Sequence, residues 1–238
     1  MKIHILILAV VLMACSKEKS RDSGITTEPI QPDRVLNVGF LIVDGVYNSE
    51  LVAPMDILHH TVFHTEKGMR VFTVAPSTDL VTSFEGLKIK PDYSYMSDSL
   101  PTIDVLVVPS AEHSMDSDLE NTEMIEFVKI TAKNARYVMS LCDGAFVLAQ
   151  AELVDGKEST TFPSDIQRYK ETFPHLKVHE GVSFVHDGKL ITSVGGAKSY
   201  DPALYLSELL YGRKAAEGLG KGLVIDWDLN QIEYIKVN

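Results

Sequence analysis

One cysteine stands where a strand gives way to a helix. Residues 137–141 (Tyr-Val-Met-Ser-Leu) form a short apolar run, Cys142 and Asp143 follow, and residues 144–150 open on Gly144-Ala145 with helical character. A side chain at such a break is pushed out at the sheet edge, beside the next backbone N–H groups and a helix N-terminus. That setting favours the thiolate, which is the reactive form of cysteine. Cys142 is therefore the candidate nucleophile, and the backbone N–H of Asp143 is a candidate donor to a developing oxyanion.

The elements that must position this turn are legible in the apolar pattern. Residues 35–43 are almost continuously apolar and end at Asp44-Gly45, the mark of a strand covered on both faces. Leu51, Met55, Leu58 and Val62 then recur at helical spacing, with Pro54 tolerated near the start. Residues 71–75 and 105–108 read as further strands, residues 87–89 as part of a hairpin, and residues 124–132 as a helix. Beyond the cysteine come a short helix at 165–172, a hairpin turning at Asp187-Gly188, and a last clear helix at 202–210.

This alternation predicts an α/β fold, a mostly parallel sheet sandwiched between helices. Ligand sites in such sheets lie outside the C-terminal ends of the strands. Residues 44–50, 109–115 and 142–144 all fall at such ends and would converge on one crevice.

In this order the chain resembles the ThiJ/PfpI superfamily, the class I glutamine-amidotransferase-like group that includes isonitrile hydratases. The carriers are Val38-Gly39-Phe40-Leu41-Ile42, the run from Glu50 through Pro54 and Asp56 to Leu58, and Asp104-Val105-Leu106-Val107-Val108-Pro109. Ser140-Leu141-Cys142-Asp143-Gly144-Ala145, Leu153-Val154-Asp155-Gly156-Lys157 and the stretch from Asp187 through Ser193 to Leu204 complete it. The match spans about Val38 to Gly212. It implies a flavodoxin-like fold with Cys142 at a nucleophile elbow. It also implies that Glu50 is the carboxyl lying against the thiol. A neutral Glu50 would donate a hydrogen bond to a thiolate, and an ionised one would deprotonate water or the thiol. The plainer reading is a residue favoured at the start of a helix.

Several positions depart from the family pattern. Asp143 replaces the histidine that protease-like members carry after the cysteine, and Thr160-Thr161-Phe162 replaces Thr-Thr-His. Ser110-Ala111 replaces a Gly-Gly pair, which leaves the second oxyanion donor open. Ser110, Ala111, His113, Gly144 and Asp201 are the candidate binding residues. His113 is either a substitute base or a solvated loop residue, and Asp201 is either part of the site or a helix cap. The histidines show no metal-ligand spacing with acids or cysteines, so neither a metal nor a cofactor is expected.

The N-terminus reads as a targeting signal. Lys2 precedes an apolar stretch too short to span a bilayer as a stop-transfer helix. Leu12-Met13-Ala14-Cys15 resembles the lipobox of bacterial lipoproteins, which implies cleavage before Cys15 and lipidation of it. The alternative is an ordinary secretory peptide with an incidental cysteine. Residues 1–14 are thus a signal peptide, 15–34 a flexible polar tether, and 35–238 one domain. The expected address is the bacterial cell envelope, at the outer rather than the inner membrane, because Ser16 and not Asp follows Cys15. With Cys15 lipidated, Cys142 has no intramolecular disulfide partner.

The net charge of -11 argues against nucleic acid and against a polybasic membrane surface. Membrane contact would come only through the N-terminal lipid, and family resemblance allows a homodimer. Three functions stay open: a cysteine-dependent hydratase or hydrolase of small molecules, a redox or small-molecule sensor, and an inert scaffold.

Overall fold

The apolar runs become the inner strands of one sheet in the computed structural model, which describes residues 28–237. The proposed signal peptide and Cys15 lie outside the described residues. The order is β1 (Leu36–Leu41), α1 (Asn48–His60), β2 (Met69–Ala75), β3 (Val81–Thr82), β4 (Lys88–Ile89), β5 (Tyr93–Ser94) and β6 (Val105–Val108). Next come α2 (Thr122–Asn134), β7 (Tyr137–Leu141), α3 (Gly144–Gln150), β8 (Glu158–Ser159), α4 (Ile166–Thr172) and β9 (Lys177–Val178). The chain closes with β10 (Phe184–Asp187), β11 (Leu190–Ser193), α5 (Tyr200–Tyr211), α6 (Arg213–Gly222) and β12 (Tyr234–Val237).

Eight strands form the main sheet in the order β12-β10-β11-β7-β6-β1-β2-β5. Every neighbouring pair is parallel except β10–β11, which is the expected hairpin. Strand β7 sits centrally between β6 and β11. Their registers pair Val108 with Ser140 and Ser193 with Leu141, so both neighbours end level with the turn that carries Cys142.

Alternation along each strand splits the core between two faces. Val105 and Val107 of β6 and Met139 of β7 pack with Leu58, Leu204 and Leu219, under α1, α5 and α6. Leu106 and Val138 point the other way, toward Val128, Phe146 and Tyr169 of α2, α3 and α4. Burying each such side chain contributes roughly 1.5–3 kcal/mol, so the strand carrying the cysteine is anchored on both sides.

Two expectations change. Residues 28–34 were assigned to a loose tether, yet they are docked. The N–H groups of Ile30 and Gln31 donate to the carbonyls of Leu209 and Leu210 at 3.1 and 3.0 Å. Those carbonyls belong to the last turn of α5, which has no helical partners for them. Arg34 then grips the buried Asp104 through both oxygens, at 2.5 and 2.8 Å. The second change is α6, which follows the helix expected to be the last; its glycines disfavour helix. It forms because Ala215, Ala216 and Leu219 are buried against the core. The C-terminal tail supplies an edge strand, β12, which pairs in parallel with β10.

Candidate functional site

Cys142 takes up a left-handed backbone conformation, φ 51°, between β7 and α3. A non-glycine residue there carries about 1–2 kcal/mol of strain, so its surroundings must hold it. The N–H of Cys142 donates to Ser193 O at 3.0 Å, which continues the β7–β11 ladder into the turn. Its carbonyl accepts from Thr161 Oγ1 at 3.0 Å and from the N–H of Ala145 at 3.2 Å.

Two glycines make room for the turn. A Cβ on Gly144 would lie 2.1 Å from Val108 O, so the start of α3 fits against β6 only without a side chain. Gly195, at φ 72°, passes so close that a Cβ there would lie 2.4 Å from Cys142 Cβ. Gly144 thus shapes the elbow through packing.

Glu50 reaches the site from the first turn of α1 and is 4 % exposed. Its Oε2 accepts from the N–H and the hydroxyl of Ser110, at 3.0 and 2.6 Å, and its Oε1 from the N–H of Gly196 at 3.4 Å. Burial pushes the carboxyl up from the usual range, while the donors from Ser110, Cys142 and Gly196 oppose that rise. The thiol of Cys142 is thus among the groups that act on this carboxyl. Position at a helix start does not account for these long-range bonds.

Asp143 lies on the other side of the sulfur. Its Oδ2 accepts from the Cys142 thiol at 3.6 Å and its Oδ1 from Thr161 Oγ1 at 3.0 Å. Burial, with the negative charge of Asp165 adding to it, pushes this carboxyl up to about 6. The thiol is pushed far above the ordinary cysteine range, first by burial and then by the charges of Glu50 and Asp143. The Ser110 hydroxyl and the Asp143 N–H work against that rise. The resting state is a thiol held between two carboxyl groups, not a free thiolate. The helix-terminus argument that favours a thiolate is outweighed by desolvation and these charges.

The other candidate residues divide. Ser110 belongs to the site through Glu50. The N–H of Ala111 is engaged by Ser114 Oγ at 2.8 Å, and that of Ser110 by Glu50, so neither donor is left for an oxyanion in this arrangement. His113 is half exposed and faces Asp116 and Glu112 at 3.4 and 4.0 Å; these contacts are those of a solvated loop residue. Asp201 is no helix cap by its contacts. It accepts from Ser183 Oγ at 2.6 Å and pairs with Lys198 at 3.6 Å.

Sequence reasoning missed Thr161, Gly196 and Tyr47. Tyr47 precedes α1, packs its ring 4.8 Å from that of Phe84, and feels the charges of Cys142, Glu112 and Glu50. The Thr160-Thr161 pair was noticed only for the histidine that does not follow it. A cavity of about 470 Å³ adjoins the elbow, lined by Thr160, Thr161, Ser183, Val194 and Lys198 among others. Thr161 joins this cavity to Asp143; Cys142, 6 % exposed, is not in its wall.

Comparison with known proteins agrees with this architecture. The DJ-1/PfpI family model matches residues 36–209. An isonitrile hydratase from Pseudomonas putida is 32% identical over 185 residues, covering 76% of this chain and 75% of that protein. The HTH-type transcriptional regulator GbdR of Pseudomonas aeruginosa is 23% identical over 210 residues. That alignment takes in 88% of this chain but only 56% of the regulator. Among solved structures, a ThiJ/PfpI family protein from Pseudomonas syringae superposes with a TM-score of 0.70 at 24% identity, covering 89% of this chain and 84% of that one.

Proposed function

The chain belongs to the DJ-1/PfpI family, and from that membership we propose that it is a cysteine-dependent hydratase or hydrolase of small uncharged molecules, with isonitriles as the first class. The observation that carries this reading is Cys142 held in a strained turn with the buried Glu50 against it. Cys142 is only 6 % exposed, so a slender linear group reaches it more readily than a bulky amide. The flanking carboxyls disfavour anionic substrates.

For an isonitrile, the Cys142 thiol gives up its proton to a neighbouring carboxylate, which returns it when the carbon–sulfur bond breaks; Sγ bonds to the terminal carbon while Glu50 supplies a proton to that carbon, giving a thioimidate on the enzyme. Glu50 Oε1, with its one long bond from Gly196, is the oxygen placed to carry that proton. The ionised Glu50 then takes a proton from water, whose oxygen adds to the carbon as the carbon–sulfur bond breaks. The released imidic acid tautomerises to an N-substituted formamide, so the net change is addition of one water. Where a carbonyl or amide is the substrate, the Asp143 N–H would hold the developing oxyanion.

The test is turnover of a panel of isonitriles, reactive aldehydes and small amides by wild type, Cys142→Ala and Glu50→Ala. Loss of at least 100-fold in both variants is expected. Full turnover remaining in both would end the proposal.

A second reading is a sensor of redox state or of small molecules, supported by the regulators that share this domain. Stoichiometric oxidation of Cys142 by mild peroxide, with no panel substrate turned over, would favour it. In either case we place the protein at the cell envelope through lipid on Cys15, without a nucleic-acid partner. The lipobox-like Leu12-Met13-Ala14-Cys15 and the net charge of -11 support this. Radiolabelled fatty acid incorporated into wild type but not into Cys15→Ser is the expected result.

A further inference from the structure

We propose that the Asp143 carboxylate takes the proton of the Cys142 thiol as the sulfur attacks, doing the work of the histidine that this chain lacks after its cysteine. The inference rests on the reading of Cys142 as nucleophile, and it gives the Asp143 side chain a direct part in the reaction.

The geometry separates the two carboxyl groups. Besides the influence of the thiol, Glu50 accepts from two N–H groups and a hydroxyl, and its Oε2 takes the two shorter bonds. Asp143 has Oδ1 braced by Thr161, which leaves Oδ2 directed at Sγ at 3.6 Å. Asp143 is also buried, at 8 % exposure, so water does not compete for the thiol proton. Its carboxyl sits at about 6, near enough to neutrality to be ionised at rest and still able to take a proton. The groups facing it are Glu50 from α1, Tyr47 just before α1, Asp165 before α4, and Cys142 itself. None of these brings a positive charge, so proton transfer lowers the local negative charge on the carboxyl while the sulfur spends its own in bond formation.

The steps balance. The S–H bond breaks, its electron pair forms the bond from sulfur to the substrate carbon, and the proton passes to Asp143 Oδ2. Glu50 delivers its own proton to the same carbon in the isonitrile case. When the carbon–sulfur bond later breaks, Asp143 returns its proton to the departing sulfur. Both carboxyls and the thiol end in their starting states.

The test needs no substrate. Iodoacetamide alkylation of Cys142 in the full-length protein is followed by peptide mass spectrometry from pH 4 to 10, in wild type, Asp143→Asn and Glu50→Gln. Asn keeps an oxygen for the Thr161 bond but accepts no proton. Wild type is expected to show a rise near pH 6 to a plateau, as the Asp143 carboxylate becomes available to take the thiol proton, before a second rise at high pH. Asp143→Asn loses the first rise and reacts at least tenfold more slowly at pH 7, while Glu50→Gln keeps it. A wild-type profile with only the high-pH rise overturns the proposal, as does a first rise that survives in Asp143→Asn. Absence of turnover on every panel substrate, with the two-step alkylation profile intact, would instead count against the proposed reaction alone.

Discussion

Thr161 Oγ1 lies 3.0 Å from the carbonyl oxygen of Cys142 and 3.0 Å from Oδ1 of Asp143, so one hydroxyl braces both residues of the elbow. Thr161 is fully buried. Thr161→Val keeps the shape of the side chain and removes the donor, leaving Asp143 Oδ1 without this bond in a dry site. Urea denaturation should show a loss of about 1–3 kcal/mol. Because the Thr161 bond holds the Asp143 carboxyl down, the first alkylation rise should also move to higher pH. A stability change below about 0.5 kcal/mol would rule out the bracing role.

Asp143 makes the elbow pH-sensitive. Its folded-state pKa is raised from 3.8 to about 6. A carboxyl shifted in that direction favours folding in full below its unfolded pKa, and the benefit is lost as pH rises through the folded value. Wild type should therefore lose stability from about pH 4 to about pH 6 through this group, by no more than about 3 kcal/mol. Asp143→Asn should remove that slope and be the more stable protein at pH 7.5, by about 1–2 kcal/mol. Urea melts at half-unit pH intervals measure both curves, and parallel curves would count against the burial argument.

The architecture was legible because its inner strands are short apolar runs that can serve only a doubly covered sheet. Residues 105–108 and 137–141 were read with the boundaries that β6 and β7 have. The elbow was legible for the same reason, since an apolar strand ended abruptly at Cys142-Asp143-Gly144. Contacts across the site were not. Thr161 meets Cys142 from 19 residues away, and Gly196 meets Glu50 from 146 away. Nothing local marks either one. Ser110 was read as a lost oxyanion glycine, whereas its hydroxyl is the shortest bond to Glu50. The protonation state was misjudged from local features too. A helix N-terminus beside a cysteine is visible in sequence, but desolvation by two packed faces is a property of the fold.

Ser110→Ala tests how Glu50 is held. The substitution removes the 2.6 Å bond to Oε2 and keeps the N–H bond at 3.0 Å. A lost hydrogen bond to a buried carboxyl costs about 1–3 kcal/mol. The Ser110 hydroxyl holds both the Glu50 carboxyl and the Cys142 thiol down, so removing it should raise both further. The high-pH alkylation rise should then shift upward, and kcat on any panel substrate should fall about tenfold, equivalent to about 1.4 kcal/mol of barrier. An unchanged alkylation profile would show that the hydroxyl does not reach the sulfur.

The elbow also depends on a close backbone approach, and two adjacent glycines separate that contact from backbone conformation alone. Gly195 has φ 72° and ψ -155°, a region essentially closed to other residues. A Cβ there would meet Cys142 Cβ at 2.4 Å and Cys142 N at 2.7 Å. Gly196 is also left-handed, at φ 56°, but a Cβ on it meets nothing within 4 Å. Gly196→Ala should therefore cost only the conformational strain, about 1–2 kcal/mol. Gly195→Ala adds a collision with the nucleophile's own backbone and should cost at least about 3 kcal/mol. It should also lengthen the bond from Cys142 N to Ser193 O, now 3.0 Å, and so speed hydrogen exchange at the Cys142 amide. Equal destabilisation by the two substitutions, with that amide equally protected in both, would mean that the turn does not rest on the backbone behind it.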